Sequence, residues 1–526
     1  MFLLCSPSVP APQEDIFCTS QVDFVQLLFG QDVYNEDTDC SRTHRRDKLL
    51  GACSTAHSGR SYYEKDPYAY KKEEFNVKKL ISTALAVSIA AGTLAGCSGG
   101  TGNSAGTSSG DTSNPAAGGE QVELTLWYPS TALTDLEISL QEEFMKQHPN
   151  ITINNVIREG DPGNDFYTAV AAGNAPDMVP ASFTVMDKYM KAGILEPLDK
   201  YLDAWDEKDA FDQQYLDMFT TENGLMGMPA WTGAFFLGYN KALFAEAGIE
   251  NPPTTWEEAL EDAKLLTDPS KQQFGYAVLS AEWTEWFFQY YVWQAGGDLT
   301  KENEDGTLEL TFTNPAVIKA GEYYQELRNS GVLQPDLTLN FSDLRDKFAQ
   351  GKIGMMPFAA DWIPACIASG MKLEDIGLAP FPAGPSGESV TTDLGQCYVI
   401  NAKTTQAKKD AAWEWIKFLL SVDTLNKRAE DMVATGSAYP ITYLRNDFDI
   451  IEKTGMPDEY REVIEAAKGG RLEFAGKAIV GAYVDRAVQN ILSDPNVDIQ
   501  TEFENAQAAA QSEVVDEYNA EILASK

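Results

Sequence analysis

The chain has 526 residues, with 79 acidic side chains against 40 basic ones and a formal net charge of −39 at neutral pH. An acidic surface of this size repels phosphate backbones and anionic bilayers, which argues against nucleic acid as a partner. The length suggests two domains, and 44% hydrophobic content is enough to fill two cores.

In chain order, residues 1–76 differ from the rest. They hold Cys5, Cys18, Cys40 and Cys53 without CxxC spacing, and no sustained apolar periodicity. Next, Lys78 and Lys79 lead into the short apolar run Leu80 to Ala91, which ends at Leu94-Ala-Gly-Cys97. That pattern reads as an export signal and resembles the bacterial lipobox, in which Cys97 would become the first mature residue and carry lipid. The run is too short to cross a bilayer of roughly 30 Å, which takes about 20 apolar residues. Two readings of residues 1–76 follow. Either the frame is started too early and Val77 is the initiator, with Lys72-Glu73-Glu74 encoding a purine-rich ribosome-binding tract, or the segment is a genuine N-terminal extension. The expected order is extension 1–76, signal peptide 77–96, a flexible Gly/Ser tether 97–120, and a folded body from 121.

The body opens β-α-β: Val122–Trp127 alternates as a strand, Asp135–His148 has helical spacing, and Ile151–Val156 is a strand again. Helix 164–172, a short buried strand at Pro176–Val179 and helix 184–192 continue the doubly wound style. From Phe235 a second series begins, with strand 235–239, helices 241–247 and 256–267, strand 274–278 and an aromatic helix 284–295. Strand 308–312, helices 315–329 and 342–350, strands 352–357, 376–380 and 397–401, and helix 407–420 follow, ahead of a helical C-terminal third. The fold class is α/β in two lobes. Beyond the signal only Cys366 and Cys397 remain, either as a disulfide across a Pro/Gly-rich loop or as two buried thiols.

Several stretches then match one known pattern. Gly227-Met-Pro229, Gly238-Tyr-Asn-Lys-Ala-Leu-Phe244, Gly248-Ile249 and Pro252-Pro-Thr-Thr-Trp-Glu-Glu-Ala259 resemble the central signature of the family 1 extracellular solute-binding proteins, the lipoprotein receptors of ABC sugar importers. Ala175-Pro-Asp177, Gly296-Gly-Asp298, Phe348-Ala-Gln-Gly-Lys352, Gly377–Pro382 and Ala411-Ala-Trp413 extend the resemblance over nearly all the chain after residue 121. It implies a two-lobed Venus-flytrap fold with hinge-crossing strands, expected near Met228–Ala234, Phe358–Ala360 and Met432–Ser437. Lobe 1 would be 121–229 plus 361–432, and lobe 2 would be 230–360 plus 433–526. It also implies a carbohydrate ligand captured between the lobes and passed to ABC permease subunits. The protein would be a monomer on the outer face of the bacterial cytoplasmic membrane, held through its lipid only.

A neutral sugar offers hydroxyls and apolar C–H faces, so its site needs flat aromatic platforms and a few oriented polar groups. Trp231, after the hinge proline motif, sits in a stretch too polar for a core. By the resemblance Trp362 is a stacking residue past the second crossing, and Trp283, with Glu282, opens the aromatic helix toward ligand. Asp361 is a hydroxyl acceptor or a helix N-cap. Tyr128 and Ser130 follow the first strand, and Ser182 and Phe183 the third, at the carboxyl edge where open α/β sheets bind ligands. Asp393 and Thr392 join them from the Pro/Gly-rich loop. One departure stands out. Where the maltodextrin branch carries an aromatic on the late helix, Ala478–Tyr483 has Gly481, with only Tyr483 nearby, which argues against a linear maltodextrin.

The rival readings are a carbohydrate-active enzyme using cleft carboxylates, a binding protein for a non-sugar solute, and an adhesion or scaffold lipoprotein. No nucleophile elbow, zinc signature, P-loop or repeat supports them, and no catalytic residue, metal ligand or cofactor is expected. Asn303-Glu-Asp-Gly306 reads as a turn, since EF-hand spacing fails.

Overall fold

The computed structural model describes residues 120–524 apart from 130–131, 159–161 and 469. The expected extension, signal peptide, lipid-bearing Cys97 and all but the last residue of the tether lie outside the described residues, as does Ser130.

The strands in chain order are β1 (Val122–Pro129), β2 (Ile151–Arg158), β3 (Met178–Ser182), β4 (Thr220–Thr221), β5 (Gly224–Leu225), β6 (Met228–Asn240), β7 (Phe274–Tyr276), β8 (Thr300–Glu302), β9 (Leu308–Leu310), β10 (Ile353–Ala359), β11 (Ile376–Ala379), β12 (Asp393–Ile400) and β13 (Thr442–Tyr443). β1 and β2 pair in parallel along their whole length, from Val122↔Ile151 to Pro129↔Arg158, and β3 lies parallel on the other side of β1. The crossover between β1 and β2 is the helix Asp135–Gln147. Its N-cap is Thr134, whose side chain accepts the Glu137 N–H, and Asp135 and Lys146 sit at the ends the helix dipole favours.

β6 is the element that joins the two halves. Its 13 residues serve two ladders: Met228 to Ala234 pair antiparallel with β12, whereas Phe235 to Tyr239 pair with β10 and Leu237 to Asn240 with β11. β12 continues onto β3, so β6 and β12 together stitch the parallel β2-β1-β3 sheet to the β10-β7 side. The turn Asn303–Gly306 connects the β8-β9 hairpin, with Gly306 at φ +70°.

Two hydrophobic cores lie on either side of this junction. The first gathers Leu124 and Leu126 of β1, Phe144, Phe166, Phe183, and Trp415 of helix Gln406–Leu419. The second surrounds helix Thr284–Gln294, buried on every residue as a helix apolar on all faces must be, and takes in Trp256, Tyr324, Phe358 and Val484. Each large side chain fully buried in these clusters contributes about 1.5–3 kcal/mol through the apolar surface it removes from water.

The chain changes cores at β6 between Ala230 and Phe235, close to the first expected crossing. It does not change at Phe358–Ala360. Phe358, Ala360, Trp362, Ile363, Ile376 and Phe381 all pack in the second core, because β10 is the ladder partner of the second half of β6 and the chain folds back beside it. The return comes within β12, between Leu394 and Cys397. Segment 361–394, expected with lobe 1, therefore belongs with the second core. The next change falls between Leu420 and Leu425, earlier than Met432–Ser437. Cys366 and Cys397 are buried free thiols in different cores, which leaves the disulfide reading without a pair.

Candidate ligand-binding cleft

Where β6 passes from one core to the other, its residues Trp231-Thr-Gly-Ala234 complete neither, Trp231 packing only in part against the first core and Ala234 only in part against the second. They line a pocket instead. Asp393 and Leu394 of β12, Ala359 to Asp361 after β10, Tyr439 to Thr442 leading into β13, Tyr215, and Ile464, Ala467 and Lys468 form the other walls of a cavity of about 50 Å³ that opens to solvent. β13 is held by pairing Thr442 with Thr232 and Tyr443 with Trp231.

The polar centre of this pocket is Asp393, only 1% exposed. Tyr215 donates its hydroxyl to Oδ2 at 2.7 Å, and the Thr232 hydroxyl sits between Oδ1 and the Leu394 carbonyl, 2.7 Å from the latter. These bonds draw on β12, β6 and helix Gln213–Met218, so the carboxylate ties both crossing strands to the first core. Gly395 lets the strands approach: a Cβ there would lie 2.4 Å from the Phe183 ring and 2.5 Å from the Trp231 carbonyl oxygen. Across the pocket, burial first and the charge of Asp361 second push the Tyr439 phenol well above its ordinary range, which keeps it a neutral donor. Lys468, the one cation among the described residues of the wall, is paired with Glu465 at 2.9 Å and Asp212 at 3.6 Å.

Behind the pocket Arg428 reaches from helix Val422–Thr435 to Glu137 on the first-core helix at 2.8 Å, and Tyr128 donates to the same carboxylate at 2.8 Å. Glu137 is 5% exposed, so this pair is one of the buried charge contacts between the two cores.

Of the residues expected from sequence, Trp231, Asp361 and Asp393 converge here. The others are used elsewhere. Trp362 is 1% exposed, wedged among Phe235, Phe341 and Phe358, and is a core residue. Trp283 stacks on Phe341 at 4.8 Å, and Glu282 accepts the Phe341 N–H at 2.7 Å, so both fasten one corner of the second core. Phe183 is fully buried against Phe219, and Ser182 caps the helix that follows it. Tyr128 is committed to Glu137, which burial and that carboxylate reflect in a phenol raised well above the usual range. Thr392 is buried and shares a hydrogen bond with Tyr290 at 2.7 Å. Sequence reasoning missed Tyr215, Thr232, Tyr439 and Lys468. Only the Gly436–Pro440 loop carried a signal, through its helix-stopping glycine and proline.

Among the described residues no group of three or more His, Cys, Asp or Glu side chains could hold a metal ion, and no helix is long and apolar enough to cross a membrane. Two α/β cores joined by shared strands, with an aromatic and carboxylate pocket at the junction, define a two-lobed solute-binding protein. The chain belongs to the bacterial extracellular solute-binding protein family, whose model matches residues 131–424. A Brucella abortus (strain 2308) protein named as a binding protein is 30% identical over 293 residues, covering 54% of this chain and 68% of that one. Among solved structures, the maltose-bound MalE3 of T. maritima superposes with a TM-score of 0.59 at 22% identity, covering 74% of this chain and 99% of that one. An ABC transporter solute-binding protein from Thermotoga lettingae, bound with alpha-D-tagatose, gives 0.58 at 22% identity over the same shares.

Proposed function

We propose that the chain captures a neutral carbohydrate in the pocket at the strand crossing and delivers it to the permease of an ABC transporter. The observation that carries this reading is the composition of the pocket: the half-buried Trp231 face beside Asp361, Asp393 and the neutral Tyr439 hydroxyl, with Lys468, the single ammonium among the described residues of its walls, already paired. An aromatic face suits the apolar side of a pyranose, and the partly exposed Asp361 is placed to accept its hydroxyls. Two solved neighbours of the same fold hold tagatose and maltose. A ligand carrying phosphate or carboxylate would meet the Asp361 carboxylate and, among the described residues of these walls, no unpaired cation.

Asp393 spends both oxygens on Tyr215 and Thr232, which favours a holding role over hydrolysis by a pair of carboxylates. In the same reading the protein is monomeric and tethered by lipid at Cys97 to the outer face of the cytoplasmic membrane. The test is calorimetry and thermal shift with a panel of neutral mono- and oligosaccharides, followed by mass analysis of the recovered sugar. Saturable binding with unchanged sugar supports the proposal. Product formation, or no response to any sugar, overturns it.

A further inference from the structure

The aromatic helix Thr284–Gln294 begins poorly by its own sequence. Trp283 occupies its N-cap with φ +52°, a left-handed conformation that a bulky residue adopts at a cost, and offers no side-chain cap. The first N–H groups of a helix need acceptors from elsewhere. Here one comes from another helix: the Glu285 N–H donates to Asp485 Oδ1 at 2.7 Å, from helix Lys477–Ser493.

The same contact brings the two side chains to one corner, where Glu285 Oε2 is buried without a hydrogen-bond partner among the described residues. Gly481, one turn before Asp485, leaves the room: a Cβ there would lie 3.3 Å from Glu285 Cγ. Lys477 stands 3.5 Å from Glu285 and 3.5 Å from Glu473, with its ammonium over the Trp286 ring at 4.9 Å. Three carboxyl groups thus face one ammonium. On the outer side of helix Lys477–Ser493, Arg486 is exposed and Tyr483 bonds Glu513. Toward helix Pro315–Asn329 the aromatic helix sets Phe288 against the buried phenol Tyr324, and its own buried Tyr290 feels Glu473. His148, the one histidine among the described residues, stacks on Phe144 in the other core.

We propose that Asp485 carries a proton beside Glu285 and forms a pH-responsive cap on the aromatic helix, acting as a positioning residue for the corner that Glu282 and Trp283 build. Burial, and then the charge of Glu285, push Asp485 up to about 8. A carboxyl raised in the folded state stabilises fully below its unfolded value of about 3.9 and loses that contribution as pH rises through the folded value. The cap therefore weakens as pH climbs from about 4 to about 8, where the Asp485 carboxyl has lost its proton in the folded protein.

The experiment is hydrogen exchange of the amides at residues 284–288, corrected for intrinsic rate, with melting curves on the full chain from pH 6 to 9.5. It compares the native protein with Asp485→Asn and Asp485→Ala. Asparagine keeps an acceptor for the Glu285 N–H and gives its carboxylate a donor. Native exchange should rise about tenfold between pH 7 and 9, the effect of roughly one unit of lost proton linkage. Asp485→Asn should flatten that rise and melt higher than native at pH 9, while Asp485→Ala should exchange faster at every pH. Parallel pH profiles for native and Asp485→Asn protein would overturn the proposal. If the asparagine variant does not fold, pH-independent exchange at 284–288 in the native protein overturns it alone.

Discussion

Replacing Asp393 by alanine tests whether the pocket's polar centre also holds the strand crossing together. The change removes the acceptor of the Tyr215 hydroxyl and one of the two acceptors beside Thr232, which keeps the Leu394 carbonyl at 2.7 Å. A hydrogen bond to a buried charge is worth about 1.5–3 kcal/mol, and a buried donor deprived of a partner costs about 1–3 kcal/mol more. Losing a carboxylate that is 1% exposed relieves part of its desolvation, so the expected net loss is about 2–4 kcal/mol. Asparagine retains one oxygen for Tyr215 and should cost about 1 kcal/mol. Urea unfolding followed by tryptophan fluorescence at pH 7 measures both. An alanine variant within about 1 kcal/mol of native, or an asparagine variant as unstable as alanine, would refute the reasoning, because neither outcome fits a carboxylate held by the two hydroxyls.

Other consequences are independent of that one. Trp231→Ala should weaken sugar binding about 10- to 100-fold by calorimetry while moving the melting temperature little, as expected for an aromatic platform that is only half-buried. Trp362→Ala should do the reverse, costing about 3–5 kcal/mol of stability because it leaves a cavity among Phe235, Phe341 and Phe358. Gly395→Ala should destabilise by about 1–3 kcal/mol or more in the same unfolding assay, since the new Cβ meets backbone oxygen that has nowhere to go. Burial pushes the Cys366 thiol up to about 12 and Cys397 well above its ordinary value, so neither should react with maleimide at pH 8 in the folded protein, and both should react in urea.

Much of the fold was legible because its local signals agree with its tertiary structure. The helix expected at 241–247 is Lys241–Ala247, capped by Asn240 and ended by Gly248 at φ +75°, and helix Pro315–Asn329 has the expected bounds. β6 was harder. Its polar stretch Trp231–Ala234 breaks the apolar alternation, so sequence reading splits one strand into a hinge and a separate strand. Trp231, expected from its small and polar neighbours, does line the pocket, although its ring also packs in part against the first core. Trp362 was misread because the rings that enclose it, Phe235 and Phe341, come from distant parts of the chain. Tyr215 and Lys468 lie on short polar segments whose sequence gives no hint that they turn toward a pocket.

The threading of the chain also bears on the order in which it can fold. The first core needs Trp415 and Leu444 as well as Leu124, and its sheet needs β12 between β3 and β6. Everything between Phe235 and Leu394 must be made before those pieces exist. A nascent chain halted before residue 393 would hold a parallel three-stranded sheet with an open edge at β3, and the second core waits longer still, for Val484, Phe503 and Val515 near the end of the chain.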